Sequence, residues 1–158
     1  MYNKIPAYPL ITNDPYFSYW SFTDVLNKSD TRHWTGKRTP ITGDIIIDDV
    51  SYRFLGKGEN TIPQVKRDVT PLKTTYFFEN EFGRLCVSFW SPAILQKVEL
   101  FSRPCSYIDY EFEPFDNKNH KIEVCFSFDE TFVYDQKKDS KIFGDTLKHE
   151  QVSLGYMS

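Results

Sequence analysis

Hydrophobic and polar residues alternate along most of the chain after Gly43, in short runs that turn residues separate at intervals of roughly ten positions. Because successive side chains of a strand face opposite sides of its sheet, this pattern predicts a β-sandwich or barrel. The clearest runs are Cys105–Glu113 and Lys121–Asp129. Each predicts one dry and one solvated face, as in antiparallel sheets that are packed on one side. The polar stretch Asp116–Asn119 predicts a turn that joins the two runs as a hairpin.

The other predicted strands are shorter alternating runs between turn residues: Asp44–Asp48, Ser51–Gly56, Gln64–Thr70, Lys73–Glu79, Arg84–Ser91 and a last strand at Val152–Tyr156. Asp49 and Val50 are predicted to form a hairpin turn between the first two of these runs. Helix is expected only within Pro92–Phe101, as about two turns that begin near the proline. Gln136–Lys141 is predicted to be a solvated, charged loop. The predicted fold class is therefore all-β, an antiparallel β-sandwich with little helix.

The segment Pro9–Gly43 follows neither the helical nor the strand period. Its six aromatic residues lie among charged ones, and prolines and glycines interrupt it, which favours an irregular but tightly held backbone. Such a segment should be ordered, since exposing so many rings is unfavourable. We therefore predict an irregular, aromatic-rich N-terminal arm (1–43) packed on a β-sandwich domain (44–158) as one structural unit. An ordered surface of rings and charges is expected to face another domain or a ligand.

Composition limits the function classes. The 158 residues are enough for one domain with a core, and 17% aromatic residues favour strands. A net charge of −3 offers no basic surface for phosphates, so no nucleic-acid partner is expected. Apolar runs such as Ile45–Ile47 are too short to span a bilayer, and the first residues lack the charged leader and apolar stretch of a signal peptide.

The three cysteines, Cys86, Cys105 and Cys125, are widely spaced and form no zinc-binding pattern. We interpret each as a small, half-buried strand residue, with one disulfide at most.

The chain shows no pattern of catalytic chemistry: no nucleophile elbow, no phosphate-binding loop and no HExxH motif. No catalytic residue, metal site or cofactor is therefore predicted. His33 is either a ring satisfied by a neighbouring carboxylate inside the arm or a polar group that lines a pocket. Asp14 and Asp24 are either an acid–base pair, or a turn-forming residue before Pro15 and the cap of a short helical turn.

Two tryptophans and one arginine complete the candidate residues. Trp20 and Trp34 either stack on a sugar or other planar substrate, or anchor the domain to a neighbour, where such rings dominate the binding energy. Arg103, before Pro104, is a candidate partner for an acidic group across that same contact.

Several strings also resemble a known family, and the likeness runs in register from Pro9 to Asp129. They are Asp14–Ser18 (DPYFS), Trp20–Phe22 (WSF), Thr31–Gly36 (TRHWTG), Tyr52–Gly56 (YRFLG), Val69–Pro71 (VTP) and Ser102–Pro104 (SRP). On these motifs the chain resembles the N-terminal region of the large glutaminase A family.

The resemblance implies a function that composition does not reveal. Members of this family are long, secreted or envelope-associated hydrolases that convert L-glutamine and water to L-glutamate and ammonia. An N-terminal β-sandwich is expected to precede a helical, α/α-toroid-like catalytic region, which this chain lacks, so it is not expected to be active alone. The implied role is an accessory domain that docks on the helical domain and borders its active site. The docking residues would be Asp14, Tyr16, Trp20, Asp24, Arg32, His33, Trp34 and Arg103.

Two further expectations accompany this one. The alternative function is a carbohydrate-binding module, in which Trp20, Trp34 and several tyrosines stack on sugar faces. In addition, a sandwich that stops near Val152–Tyr156 would leave an unpaired strand edge, which predicts self-association into a homo-oligomer.

Overall fold

The computed structural model describes residues 4–116, 118–132, 143–149 and 152–157. Its strands are β1 (Tyr8–Thr12), β2 (Ser18–Ser21), β3 (Arg32–His33), β4 (Ile41–Ile47), β5 (Val50–Leu55), β6 (Gln64–Val69), β7 (Lys73–Glu79), β8 (Gly83–Trp90), β9 (Tyr107–Pro114), β10 (Ile122–Phe128), β11 (Gly144–His149) and β12 (Val152–Met157). The helical elements are the short helix α1 (Val98–Phe101) and a 3-10 turn at Glu130–Phe132. The predicted all-β class is confirmed.

Two antiparallel sheets enclose the core. One sheet has the order β6-β7-β8-β9, and the other has the order β10-β4-β5. Their buried side chains form one hydrophobic cluster, in which Phe54 of β5 contacts Phe78 of β7 at 5.9 Å between ring centroids. A third sheet, β1-β2-β3, contributes Leu10, Ile11 and Tyr19 to the same cluster. The N-terminal residues therefore belong to the core of the sandwich.

The alternation in the sequence corresponds to burial in the strands. Leu85, Val87 and Phe89 of β8 are buried on one face, and the buried residues of β4 also fall at every second position. Each such side chain stabilises the fold by about 1.5–3 kcal/mol relative to an exposed one. The strand predictions for β4 to β8 are confirmed to within a few residues at each end.

The turn between β4 and β5 lies one residue earlier than predicted. Asp48 and Asp49 both have positive φ, 49° and 68°, whereas Val50 already begins β5. A two-residue hairpin turn of this kind matches the twist of the flanking strands, and aspartate tolerates the left-handed conformation. Valine does not, which explains why the turn lies at the two aspartates.

The predicted hairpin between the runs that form β9 and β10 is wrong. β9 pairs with β8, and β10 pairs with β4 in the opposite sheet, so the stretch around Asp116–Asn119 crosses between the sheets. Alternation reveals which face of a strand is apolar, but it carries no information about the neighbouring strand. The last predicted strand is confirmed as β12, which pairs with β11.

Three other expectations can be compared with the structure. The arm (1–43) carries the strands β1 to β3, with a bulge between Pro9 and Ile11 and irregular backbone between the strands. The helix expected in Pro92–Phe101 is confined to its last turn, α1. The charged loop Gln136–Lys141 lies outside the described residues.

The cysteines are free thiols. Cys86 is half-buried in β8, as predicted. The prediction of a half-buried strand residue is wrong for the other two, because Cys125 lies on the exposed face of β10 and Cys105 is exposed in the segment before β9.

His120 holds in place the segment that crosses between the two sheets. The His120 side chain is only 7% exposed, and its Nδ1 and Nε2 lie 2.6 Å and 2.8 Å from carboxylate oxygens of Asp48 and Asp116. These hydrogen bonds to Asp48 and Asp116 raise the pKa of His120, and the same bonds lower the pKa of each aspartate. Because both ring nitrogens must donate, the charged imidazolium is the form that holds the crossover to the β4–β5 turn.

The hydrogen bonds between His120 and the two aspartates predict that the stability of the fold depends on pH. The raised pKa of His120 means that its contribution is complete below the unfolded value of about 6.5 and is lost as pH rises through the folded value. The lowered pKa values of Asp48 and Asp116 mean that their contribution is present above about 3.9 and is lost as pH falls through the folded values. We expect His120→Gln to lower the free energy of unfolding most near about pH 5. Urea unfolding at that pH and near about pH 9 measures the change in the free energy of unfolding. An equal loss at both pH values would contradict the stabilising role of the charged His120.

Candidate docking site

An aromatic tip projects from the N-terminal sheet. It consists of the turn Asp14–Phe17 between β1 and β2, together with His33 and Trp34 at the end of β3. Tyr16 is 91% exposed and Trp34 is 56% exposed. We refer to these six residues as the tip.

Asp14 organises the first turn. Its Oδ1 accepts hydrogen bonds from the backbone N–H groups of Tyr16 (2.7 Å) and Phe17 (3.0 Å). The backbone N–H of Asn13 donates to the Phe17 carbonyl at 3.1 Å and closes the turn. This is the turn-forming role that the position before Pro15 allows.

The Pro15 carbonyl joins the two halves of the tip. It lies 2.9 Å from Nε2 of His33 and 2.6 Å from Nε1 of Trp34. Since a carbonyl can only accept, Nε2 of His33 carries the proton, and Nδ1 accepts from the Thr35 hydroxyl at 2.8 Å. The imidazole is therefore satisfied by a carbonyl and a hydroxyl, and neither partner is the carboxylate that the sequence suggested.

A second turn supports Trp34 from the other side. The backbone N–H of His33 donates to Lys37, and that of Gly36 donates to His33 at 2.8 Å. Gly36 has φ of 90°, a conformation that suits glycine and strains other residues. The backbone N–H of Trp34 also donates to the Ser18 carbonyl at 3.3 Å, which fixes the turn to β2.

The base of the tip is packed on the core. The ring of Phe17 meets the ring of Tyr19 edge-on at 5.0 Å, and Tyr19 is buried against Phe132 at 4.1 Å between centroids. Two exposed rings, Tyr16 and Trp34, therefore stand on a backbone that hydrogen bonds and ring packing hold in place. Such a surface loses little conformational freedom when it binds a partner.

Arg32 and Trp20 lie beside the tip. They are paired across β2 and β3, and the Arg32 guanidinium is exposed, with Nη1 3.4 Å from the Gly36 carbonyl. Trp20 is half-buried and donates from Nε1 to the Ser18 hydroxyl at 2.8 Å. Its ring lines a groove of about 330 Å³, together with Trp90 at the end of β8.

A cleft of about 250 Å³ adjoins this groove and is lined by Asp14 and Arg103. In its wall, Oδ1 of Asn13 accepts from the hydroxyls of Ser91 (3.1 Å) and Ser106 (2.8 Å). No ion pair among the described residues includes Arg103. The cleft thus places one carboxylate and one guanidinium of the predicted set at the same opening.

Asp24 lies in a separate network. It accepts from the Tyr8 hydroxyl, lies 3.5 Å from Nζ of Lys4, and is near the buried Arg67. The hydrogen bond from Tyr8 is the main cause that lowers the pKa of Asp24. Arg67 stacks on the Tyr8 ring at 3.6 Å and donates to the Asp24 carbonyl at 2.6 Å.

This network anchors the N-terminal sheet to β6. Gln64 reinforces it, because its Nε2 donates to the Asp24 carbonyl at 2.9 Å and its Oε1 accepts from the Leu26 backbone at 2.8 Å. Asp24 lies in a bend rather than at the cap of a helical turn, and its partners differ from those of Asp14.

The structure thus groups most of the predicted set. The tip contains Asp14, Tyr16, His33 and Trp34, and it is flanked by Arg32 and Trp20. Arg103 lines the same cleft as Asp14. Asp24 belongs instead to the network that joins the N-terminal sheet to β6. Sequence reasoning missed Pro15, whose contribution is a backbone carbonyl without any side-chain signal. It also missed Trp90, which its residue type alone could have added to the tryptophans considered.

Neither a metal cluster nor a membrane helix is found in the described ranges. No three His, Cys, Asp or Glu side chains in them are grouped as metal ligands would be. None of the described helices has the length and apolar character needed to cross a membrane.

The fold and the tip define an all-β domain with a rigid aromatic projection. Residues 72–158 match the family described as Domain of unknown function (DUF5127), and the chain belongs to that family. Residues 3–66 match a second one, Domain of unknown function (DUF4964).

A curated relative gives these descriptions a context. The chain is 29% identical over 129 residues to glutaminase A of Aspergillus oryzae (strain ATCC 42149 / RIB 40). This alignment covers 75% of the chain and 19% of that protein, so the chain spans about a fifth of the relative's length. No solved structure matches the chain. The predicted resemblance to the N-terminal region of the glutaminase A family is confirmed.

The first turn of the tip can be tested by its aspartate. Asp14→Ala removes the acceptor of two backbone N–H groups, and we expect it to destabilise the fold by about 1 kcal/mol. Asp14→Asn retains an acceptor oxygen and is the matched control, with an expected loss of a few tenths of a kcal/mol. Urea unfolding of both variants measures the difference, and equal stabilities would show that the Asp14 oxygen does not hold the turn.

Proposed function

We propose that this chain is the non-catalytic, N-terminal β-sandwich of a glutaminase A-like amidohydrolase, whose reaction converts L-glutamine and water to L-glutamate and ammonia. In this role the tip docks on a helical, α/α-toroid catalytic domain and borders the mouth of its active site. The similarity to glutaminase A supports the class of enzyme. A secreted or envelope-associated location is part of the same proposal.

The exposed Tyr16 on its hydrogen-bonded turn is the observation that carries the docking role. Tyrosine and tryptophan are enriched among the residues that dominate protein interfaces, and both are exposed here on a fixed backbone. An isolated domain would gain stability by covering such rings, so their exposure favours a partner surface. Arg32, Asp14 and Arg103 add charges around the rings, which suits the polar rim of an interface.

Binding in trans tests the docking role. We expect the chain to bind the helical region of its parent protein, when the two are produced separately and mixed. Tyr16→Ala and Trp34→Ala should each weaken the complex about tenfold or more, as the loss of an anchoring ring does. Val50→Ala is the control, because Val50 is a similarly exposed apolar residue, at the first position of β5. Calorimetric titration measures all three, and equal affinities for the tip and control variants would refute docking by the tip.

The absence of activity is a separate prediction. Because the chain offers no pattern of catalytic residues, we expect no release of ammonia when it is incubated alone with L-glutamine. A coupled ammonia assay, with an active glutaminase as the positive control, measures this directly. The prediction would be contradicted if ammonia release co-purified with the chain and was lost when one of the chain's own polar residues was substituted. The chain itself would then be an enzyme.

One observation favours carbohydrate binding as a second candidate function. The groove beside β1 is lined by Trp20 and Trp90, together with the hydroxyl-bearing residues Thr12, Thr70 and Ser91. Its volume of about 330 Å³ is at the lower end of the range for small-molecule sites. An aromatic ring beside hydroxyl groups is an arrangement that suits a sugar ring.

Intrinsic tryptophan fluorescence distinguishes this candidate. Binding of oligosaccharides at millimolar concentration should shift the emission, and Trp20→Ala should reduce the shift while Trp34→Ala, outside the groove, preserves it. An unchanged spectrum with a panel of plant and bacterial oligosaccharides would remove carbohydrate binding from consideration.

A further inference from the structure

The inward side chains of the sandwich are much less buried on β9 than on the neighbouring strand β8. Val87 of β8 is fully buried, whereas Tyr110, its neighbour on the same face of β9, is 56% exposed. The two strands are only about 4.8 Å apart. Ile108 and Phe112, the other inward residues of β9, are half-buried beside the buried Phe89 and Leu85.

In the opposite sheet, burial of the inward side chains also decreases from β4 to the edge strand β10. Ile41 of β4 is fully buried, whereas its partner Phe128 on β10 is 42% exposed. Val124 and Phe126, which lie on the same face of β10, are half-buried and pack against the core. Each of the two outer strands, β9 and β10, thus leaves part of its inward face uncovered.

The backbone of β9 is also available on one side. All eight residues pair with β8 without a register shift, and no described strand pairs with the other side. Natural proteins usually protect such an edge with a bulge, a proline within the strand, charged side chains or a covering element. In β9 the proline is the last residue, Pro114, and leaves the rest of the edge free for pairing.

We propose that the β9 edge accepts an added strand from a polypeptide that alternates apolar and basic residues. The apolar side chains of this strand would cover Tyr110 and the partly exposed inward face of β9. On the outer face, β9 presents a row of three exposed acids, Asp109, Glu111 and Glu113. Asp109 accepts from the indole of Trp90 on β8, and Glu113 lies 3.7 Å from Arg84 of β8, so Glu111 is the acid of the row that is left for a basic partner. Basic residues of the added strand would lie beside this row, where opposite charges on neighbouring strands stabilise pairing.

The charges argue against a second copy of this chain as the occupant. An antiparallel pairing of two β9 strands centred on Tyr110 would set Asp109 opposite Glu111 of the second copy. A shift of register that retains the inward faces sets other acids of the row opposite each other. Like charges directly opposite destabilise strand pairing, so the acidic row favours a basic strand over self-association.

An eight-residue peptide tests the proposal, since it matches the length of β9. The probe alternates valine and lysine, and the control peptide alternates valine and glutamate with the same apolar face. Fluorescence anisotropy of the labelled peptides against the whole chain should show at least about tenfold tighter binding of the lysine peptide. Hydrogen exchange of the complex should show new protection of the β9 backbone.

A charge reversal in the chain provides the matched variant. Glu111 is exposed and is the middle acid of the row, so Glu111→Lys should leave the fold unchanged. It should reduce the preference for the lysine peptide about threefold or more, and it should improve binding of the glutamate peptide. Glu59→Lys, an exposed change outside the two sheets, should alter neither affinity.

Several results would overturn the proposal. These are the absence of binding by either peptide at millimolar concentration, equal affinity for the two peptides, and protection at an edge other than β9. A dimer of the chain alone with protected β9 amides would assign the edge to a second copy instead. The experiment does not involve the tip, so it stands or fails separately from the proposed docking on a catalytic domain.

Discussion

The Pro15 carbonyl oxygen joins the two halves of the tip. Proline fixes its own backbone φ, and the turn that Asp14 closes directs this carbonyl toward the end of β3. There it accepts from both the imidazole of His33 and the indole of Trp34. Two donors occupy both lone pairs of one carbonyl, so the tip has a single well-defined arrangement. The exposure of Tyr16 and Trp34 is therefore a property of a rigid surface.

The tip depends in turn on a sandwich to which both matched segments contribute strands. Residues 3–66 and 72–158 match different families, yet the boundary between them falls at the β6–β7 hairpin. β4 of the first segment pairs with β10 of the second, and the core cluster includes Tyr19 from the base of the tip. The two segments therefore share one hydrophobic core, and packing on that core positions the tip.

Alternation of apolar residues was sufficient to predict the strands from β4 to β10 and the all-β class. It could not predict that β9 and β10 belong to opposite sheets, because a strand's period contains no record of its neighbour. The short strands β1 to β3 lack a clear period, since their aromatic residues divide between the core, as Tyr19 does, and solvent. Aromatic and charged residue types identified most of the tip. The Pro15 carbonyl was not predicted, because every residue has a backbone carbonyl and its role depends on the fold.

The exchange rate of the Trp34 indole N–H with solvent, measured by NMR on the isolated chain, tests the rigid tip most directly. If Nε1 donates persistently to the Pro15 carbonyl, exchange should be slower than that of a free indole by about tenfold or more, despite the exposure of the ring. Exchange at the rate of a free indole would contradict this account, since the ring would then move independently of the turn that is meant to hold it.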